Sequence, residues 1–146
     1  MTSSTQACVF SGVKIALMQD QHLVTILRDN KSIIPFPDTW DLPGGGREGL
    51  ETPFECVQRE VMEELGIAIS QDMVVWEKAY QGVMNPETYS IFMVAMISKD
   101  LVKAIHFGEE GQAYKFVPVK DFLADKKAVP QLQERLAAYL AEKSDQ

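Results

Sequence analysis

Cysteine is nearly absent from this sequence. Of 146 residues only Cys8 and Cys56 carry a thiol, too few for the disulfide framework of a small secreted domain, and both are expected to be reduced, structural side chains rather than a disulfide or metal pair. Histidine is as scarce. His22, in a polar turn, is expected to be solvated rather than ligating. No apolar run approaches membrane-spanning length, and no basic region followed by a long apolar stretch opens the chain, so it is expected to be unprocessed, cytoplasmic and free of membrane contact. Positive charge is also in deficit. With 14 Lys and Arg against 21 Asp and Glu the net charge is −7, which argues against a surface that coats nucleic acid. Neither a linker nor a repeat divides the chain, and 46% apolar content suits one domain over residues 1–146 with a real core.

What the sequence does have is concentrated between Gly45 and Ile67, GGREGLETPFECVQREVMEELGI. Thr52 is a good helix cap, Pro53 fits the first helical position, and Glu55 completes a capping box three residues after the cap. These residues predict a helix from Pro53 to Leu65, with Gly66 as its left-handed stop. At 100° per residue Phe54, Val57, Val61 and Leu65 share one arc, the stripe that packs on a core. Glu60, Glu63 and Glu64 crowd another. Like charges three and four residues apart cost a few tenths of a kcal/mol each, so the face is locally unfavourable unless a cation neutralises it. Carboxylates are hard oxygen ligands, and they suit Mg²⁺, or Mn²⁺ as the alternative, above all when substrate phosphates complete the coordination.

The remaining pattern mixes strands and helices. Val9–Phe10 and Val13–Met18 read as strands with Gly12 as a bend or bulge between them, and Leu23–Arg28 as the second arm of a hairpin. Asp29 to Ser32 is a turn cluster, and Pro35 and Pro37 predict an extended, stiff approach to Trp40. Strands follow over Met73–Gln81, Tyr89–Ile97 and Tyr114–Val117. The second of these is almost continuously apolar and should be covered on both faces. Pro118–Leu123 reads as a turn. Gln131–Ala141 is an amphipathic helix whose buried side is Leu132, Leu136, Tyr139 and Leu140. Three successive glycines, Gly44 to Gly46, are conformationally expensive and imply a backbone that must pass close to a ligand or turn sharply. Trp40 is either a stacking platform for a substrate base or a core residue. Arg28 and Arg47, near this loop, are candidate phosphate contacts or simply exposed.

Gly45, five residues, Glu51, seven residues, Arg59-Glu60-Val61, one residue, Glu63-Glu64, one residue, Gly66-Ile67 is similar at every specified position to the signature of Nudix hydrolases, and the chain resembles the MutT-like branch of that family. The resemblance implies an α/β fold, a mixed sheet sandwiched between helices as α/β/α. It implies Mg²⁺-dependent hydrolysis of a nucleoside diphosphate-linked substrate, with a MutT-like nucleoside triphosphate pyrophosphohydrolase as the main expectation and an ADP-sugar or dinucleoside polyphosphate hydrolase as the alternative. A reading from another class is a non-catalytic nucleotide sensor. The intact signature argues against it.

Carried residue by residue, the resemblance makes Glu60, Glu63 and Glu64 metal ligands. Glu110, from the Glu-Gly-Gln run at residues 110–112, is added to the same set. Glu60 or a loop glutamate is the general base, and Glu63 assists. Arg59 orients and partly neutralises the carboxylates, while Glu51 supports the site or contacts the metal itself. Gly45 brings backbone near the phosphates, and Gln131 occupies the region from which MutT-like proteins read the base. The asparagine usual there is missing, so no oxidised-guanine specificity is implied. His106, four residues before Glu110, is within reach of the site. Homodimers are compatible with the family.

Overall fold

A computed structural model describes residues 10–82, 85–107 and 113–144. The strands are β1 Phe10–Gln19, β2 His22–Leu27, β3 Trp40–Asp41, β4 Gly44–Gly46, β5 Val74–Gln81, β6 Tyr89–Met96 and β7 Ala113–Pro118, and the helices are α1 Pro53–Leu65, α2 Lys99–Lys103, α3 Val119–Ala124 and α4 Pro130–Ser144. Among these residues no helix is long and apolar enough to cross a membrane.

One mixed sheet runs β3-β2-β1-β6-β5, with β4 paired to β1 and β7 to β2. Among the described residues the central β1·β6 ladder is the one parallel pair, and the other ladders are antiparallel. Alternation along these two strands decides the layering, because successive side chains leave opposite faces. Ile15 and Leu17 of β1 and Ile91, Met93 and Ala95 of β6 pack with Val57, Val61 and Leu65 of α1. Ala16 and Met18, with Phe92 and Val94, pack instead on Leu132, Leu136 and Tyr139 of α4. Helices therefore cover both faces, the expected α/β/α sandwich, and the apolar run of β6 is explained by burial on two sides.

Several local expectations are corrected. From Phe10 to Met18 the chain makes one strand rather than two, with the expected irregularity at Gly12 seen as a register shift between Phe10 and Gly12; Val9 and Cys8 lie outside the described residues. The 118–123 segment is not a turn: α3 forms there, with Val119 and Phe122 buried. The short α2, capped by Ser98 accepting from Leu101 N, had no periodicity long enough to predict it. Nor is the approach to Trp40 extended. Phe36 and Asp38 adopt left-handed φ of 50° and 53°, and the Asp38 amide donates to the Asp29 carbonyl at 3.0 Å, closing the segment into a loop.

Candidate active site

β1 is paired along one edge by two different strands. β4 takes Gly12 to Lys14, and β2 takes only Met18 and Gln19. The sheet forks between them, and a cavity of about 330 Å³ sits at the fork, lined by Lys14, Ile26, Arg28 and Asp41 on one side and by Gly44 to Gly46, Glu60 and Glu64 on the other. The helix that delivers the glutamates is fixed at both ends. The Thr52 hydroxyl accepts from Glu55 N, the Glu55 carboxylate accepts from Thr52 N at 2.9 Å, and Gly66 closes the helix at φ 65°.

The three glycines are a strand, not a free loop. Gly44 is held at φ 133°, and a side chain there would collide with the Val13 carbonyl. At Gly45 the obstacle is the site itself, for a Cβ would lie 2.5 Å from the carboxyl carbon of Glu60. The signature glycine thus exists so that one carboxylate can rest against the backbone. Beside it Gly44 N donates to Glu64 Oε1 at 2.9 Å. Burial pushes the Glu64 carboxyl up to about 8, opposed by that Gly44 amide and by Lys14 and reinforced by Glu60 and Asp41.

Arg59 is the hub of the remaining carboxylates. Its Nε and Nη2 donate to both oxygens of Glu51 at 2.7 and 3.1 Å, and Nη1 donates to Glu60 at 3.0 Å and to Glu63 at 3.2 Å. Nη2 also donates to the Gly46 carbonyl at 2.9 Å, tying the helix to the glycine strand. The Arg59 hydrogen bonds, with the Glu48 amide, hold Glu51 down to about 2. Glu55, also within helical reach of Arg59, is committed to the cap. The Cys56 thiol lies against the carbonyls of Gly45 and Gly46 at 3.7 and 3.5 Å. Burial raises it to about 11, which keeps it protonated and structural as expected.

Of the sequence-derived candidates, the cavity brings together Gly45, Glu60, Glu64 and Arg28. Glu63 is half exposed, bound by Arg59 and not in the lining. Arg47 turns away, its Nε on the Glu51 carbonyl and its guanidinium over the Phe10 ring at 4.7 Å. Trp40 packs against the core on the α4 face with Lys115 over its ring, which favours the core half of the two readings. His106 is exposed and contributes its amide to the Leu65 carbonyl at the end of α1. Glu110 lies outside the described residues.

Gln131 lies in an adjoining cavity of about 420 Å³ that shares Lys14, Arg28 and Asp41 with the first and adds Phe36, Ser90 and Arg135. Its Oε1 is buried without a hydrogen-bond partner.

Two residues at the fork escaped the sequence reading. Asp41, 4% exposed, receives Lys14 Nζ at 2.9 Å and Arg28 Nη1 at 2.8 Å on one oxygen and Leu42 N on the other. A lysine among the apolar positions of β1 was the available signal.

The site fits a hard divalent cation. Its carboxylates Glu60 and Glu64 are hard oxygen ligands, and the glycine strand leaves no side chain between Glu60 and the backbone. Among the described residues no three His, Cys, Asp or Glu side chains group so as to hold a metal ion by themselves, so an ion here would need water and substrate phosphates beside Glu60 and Glu64.

The NUDIX domain model matches residues 10–139. Nucleoside triphosphatase NudI of Salmonella arizonae is 32% identical over 112 residues, 69% of this chain and 75% of that protein. Among solved structures, a MutT protein from Methanosarcina mazei superposes with a TM-score of 0.73 at 19% identity, over 92% of this chain and 94% of that one. A bifunctional NMN adenylyltransferase/ADP ribose pyrophosphatase from Francisella tularensis, complexed with AMP and a Mn ion, gives 0.66 at 20% identity, over 92% of this chain and 42% of that one.

Proposed function

The chain belongs to the NUDIX family of hydrolases acting on phosphoanhydride bonds, and from that membership we propose that it is a Mg²⁺-dependent nucleoside triphosphate pyrophosphohydrolase. The observation that supports the reading is that Glu60 and Glu64 line one cavity beside the glycine strand, Glu60 against Gly45 and Glu64 on the Gly44 amide. Its NudI relative is a nucleoside triphosphatase.

A phosphoanhydride resists attack because its own negative charge repels a nucleophile, so catalysis needs positive charge on the phosphate oxygens, a placed water and a base. Glu60 and Glu64 would hold the divalent ion, Mg²⁺ or Mn²⁺, with Glu63 and Glu110 assisting. When bound, that ion supplies the positive charge and acidifies a water. Arg59 keeps the Glu60 carboxylate aimed at the cavity and offsets the crowding of acids on α1. Glu60 or Glu110 takes the proton of the attacking water. Arg28 meets the phosphate chain, and the nucleoside extends into the second cavity, which Gln131 lines. The products are a nucleotide and phosphate or pyrophosphate.

Phosphate or pyrophosphate release across nucleoside triphosphates, nucleotide sugars and dinucleoside polyphosphates, with and without Mg²⁺, tests this. Turnover is expected to be greatest on a triphosphate and abolished by chelation. Glu64→Gln, which preserves size, should lower the rate roughly 10²–10⁴-fold. Wild-type turnover by that variant would remove Glu64 from the reaction, and preferred turnover of a nucleotide sugar would overturn the substrate assignment.

A further inference from the structure

Lys14 is the one charged residue of β1, and it interrupts a strand whose neighbours Val13, Ile15 and Ala16 are at most 2% exposed. A lysine at such a position gives up much of its hydration, and an apolar side chain of similar volume is often no less stabilising. Its ammonium is nevertheless held firmly, by Asp41 Oδ2 at 2.9 Å and the carbonyls of Leu42 and Gly44 at 3.3 and 3.5 Å. Asp41 serves Arg28 with the same oxygen at 2.8 Å. Two cations therefore share one carboxylate, and the trio by itself carries one positive charge, set beside Asp29, Glu60 and Glu64 in the lining of the first cavity.

Its location gives that charge a use. Lys14, Arg28 and Asp41 line both cavities, whereas Glu60 and Glu64 line only the first and Gln131 and Arg135 only the second. A substrate that reaches from the acidic helix to the second cavity must cross this shared wall. The group that suits a crossing point where two cations converge, beside carboxylates that repel anions, is a phosphate.

We propose that Lys14 is a substrate-binding residue which, with Arg28, grips the phosphate that bridges the two cavities, Asp41 holding both cations in place. The proposal rests on the hydrolase reading for the identity of the substrate but not for the binding of phosphate itself. Arg28 contributes a planar fork and Lys14 a compact point charge, and Asp41 Oδ2 keeps the two side by side.

The test is Lys14→Met, with Lys14→Gln as the polar variant that carries the same measurement should the first not fold, as judged by urea melts. Loss of one charge-assisted contact predicts a KM for the nucleoside triphosphate raised about ten- to a hundredfold with kcat changed little. Inhibition by inorganic tripolyphosphate should weaken by the same factor, and Lys14→Arg should recover most of it. A purely structural Lys14 would instead lower the melting temperature and kcat together and leave tripolyphosphate affinity unchanged, and that result overturns the proposal. Should the wild type turn over none of the substrates, the hydrolase reading fails alone. Calorimetric titration of wild type and variant with tripolyphosphate then decides the role of Lys14 by the same factor.

Discussion

A hydrogen at Gly45 is what lets the Glu60 carboxylate lie flat on the glycine strand. Gly45→Ala places a methyl 2.5 Å from the carboxyl carbon, and the carboxylate must swing away. A displacement of about 1 Å in a catalytic constellation can lower a rate about 10²-fold, which is the loss expected for this variant with its melting temperature near that of wild type. Gly46→Ala is the control, because a Cβ there meets nothing closer than 3.9 Å and turnover should survive. Equal activity in the two variants would show that Glu60 does not work from the position seen here. Glu51 supplies a pH test. Its carboxyl is held down to about 2 from an ordinary 4.5, so the folded state favours its ionised form, and the stability this gives is full above pH 4.5 and lost as pH falls through 2. Glu51→Gln should therefore destabilise the protein at pH 7, and the difference from wild type in chemical unfolding should shrink toward zero as the pH approaches 2. A difference that stayed constant with pH would separate Glu51 from the Arg59 hub.

The helix that carries the glutamates was legible from its sequence down to the residue, because everything that fixes its ends is local: a cap, a capping box, a proline and a glycine within fifteen positions. Thr52→Ala should cost about 1 kcal/mol, a drop of roughly 3 °C in melting temperature for a chain of this length, read by calorimetry. No change would mean that packing on the sheet alone sets the start of the helix. The other half of the site was not legible for the opposite reason. Lys14 meets Asp41 across 27 positions, and strands as short as β3 and β4 carry no periodicity; β4, being all glycine, carries no side-chain signal at all. Arg47 and Trp40 illustrate the same limit. Sequence alone left Arg47 open between a phosphate contact and an exposed side chain, and Trp40 between a stacking platform and the core; the pleat and the turn after Gly46 send the first over Phe10 and the second toward the α4 face of the sheet.

At the scale of the molecule, a net charge of −7 and a cavity walled by two glutamates oppose the entry of a polyphosphate by itself. The trio of Lys14, Arg28 and Asp41 offsets this only in part. A divalent ion and a nucleotide should then bind as a coupled pair, since two carboxylates leave most of an octahedral shell to water and phosphate oxygens. Coupling of this kind is reciprocal: the factor by which the nucleotide tightens the metal must equal the factor by which the metal tightens the nucleotide. Titration calorimetry with Mg²⁺ and a methylene-bridged, non-hydrolysable nucleoside triphosphate measures both legs. Mg²⁺ alone should bind weakly, and each partner should tighten the other at least about tenfold, which corresponds to about 1.4 kcal/mol of coupling. Tight binding of Mg²⁺ to the free protein, unchanged by nucleotide, would mean that the chain completes the coordination shell from its own side chains. Substrate phosphates would then not be the missing ligands.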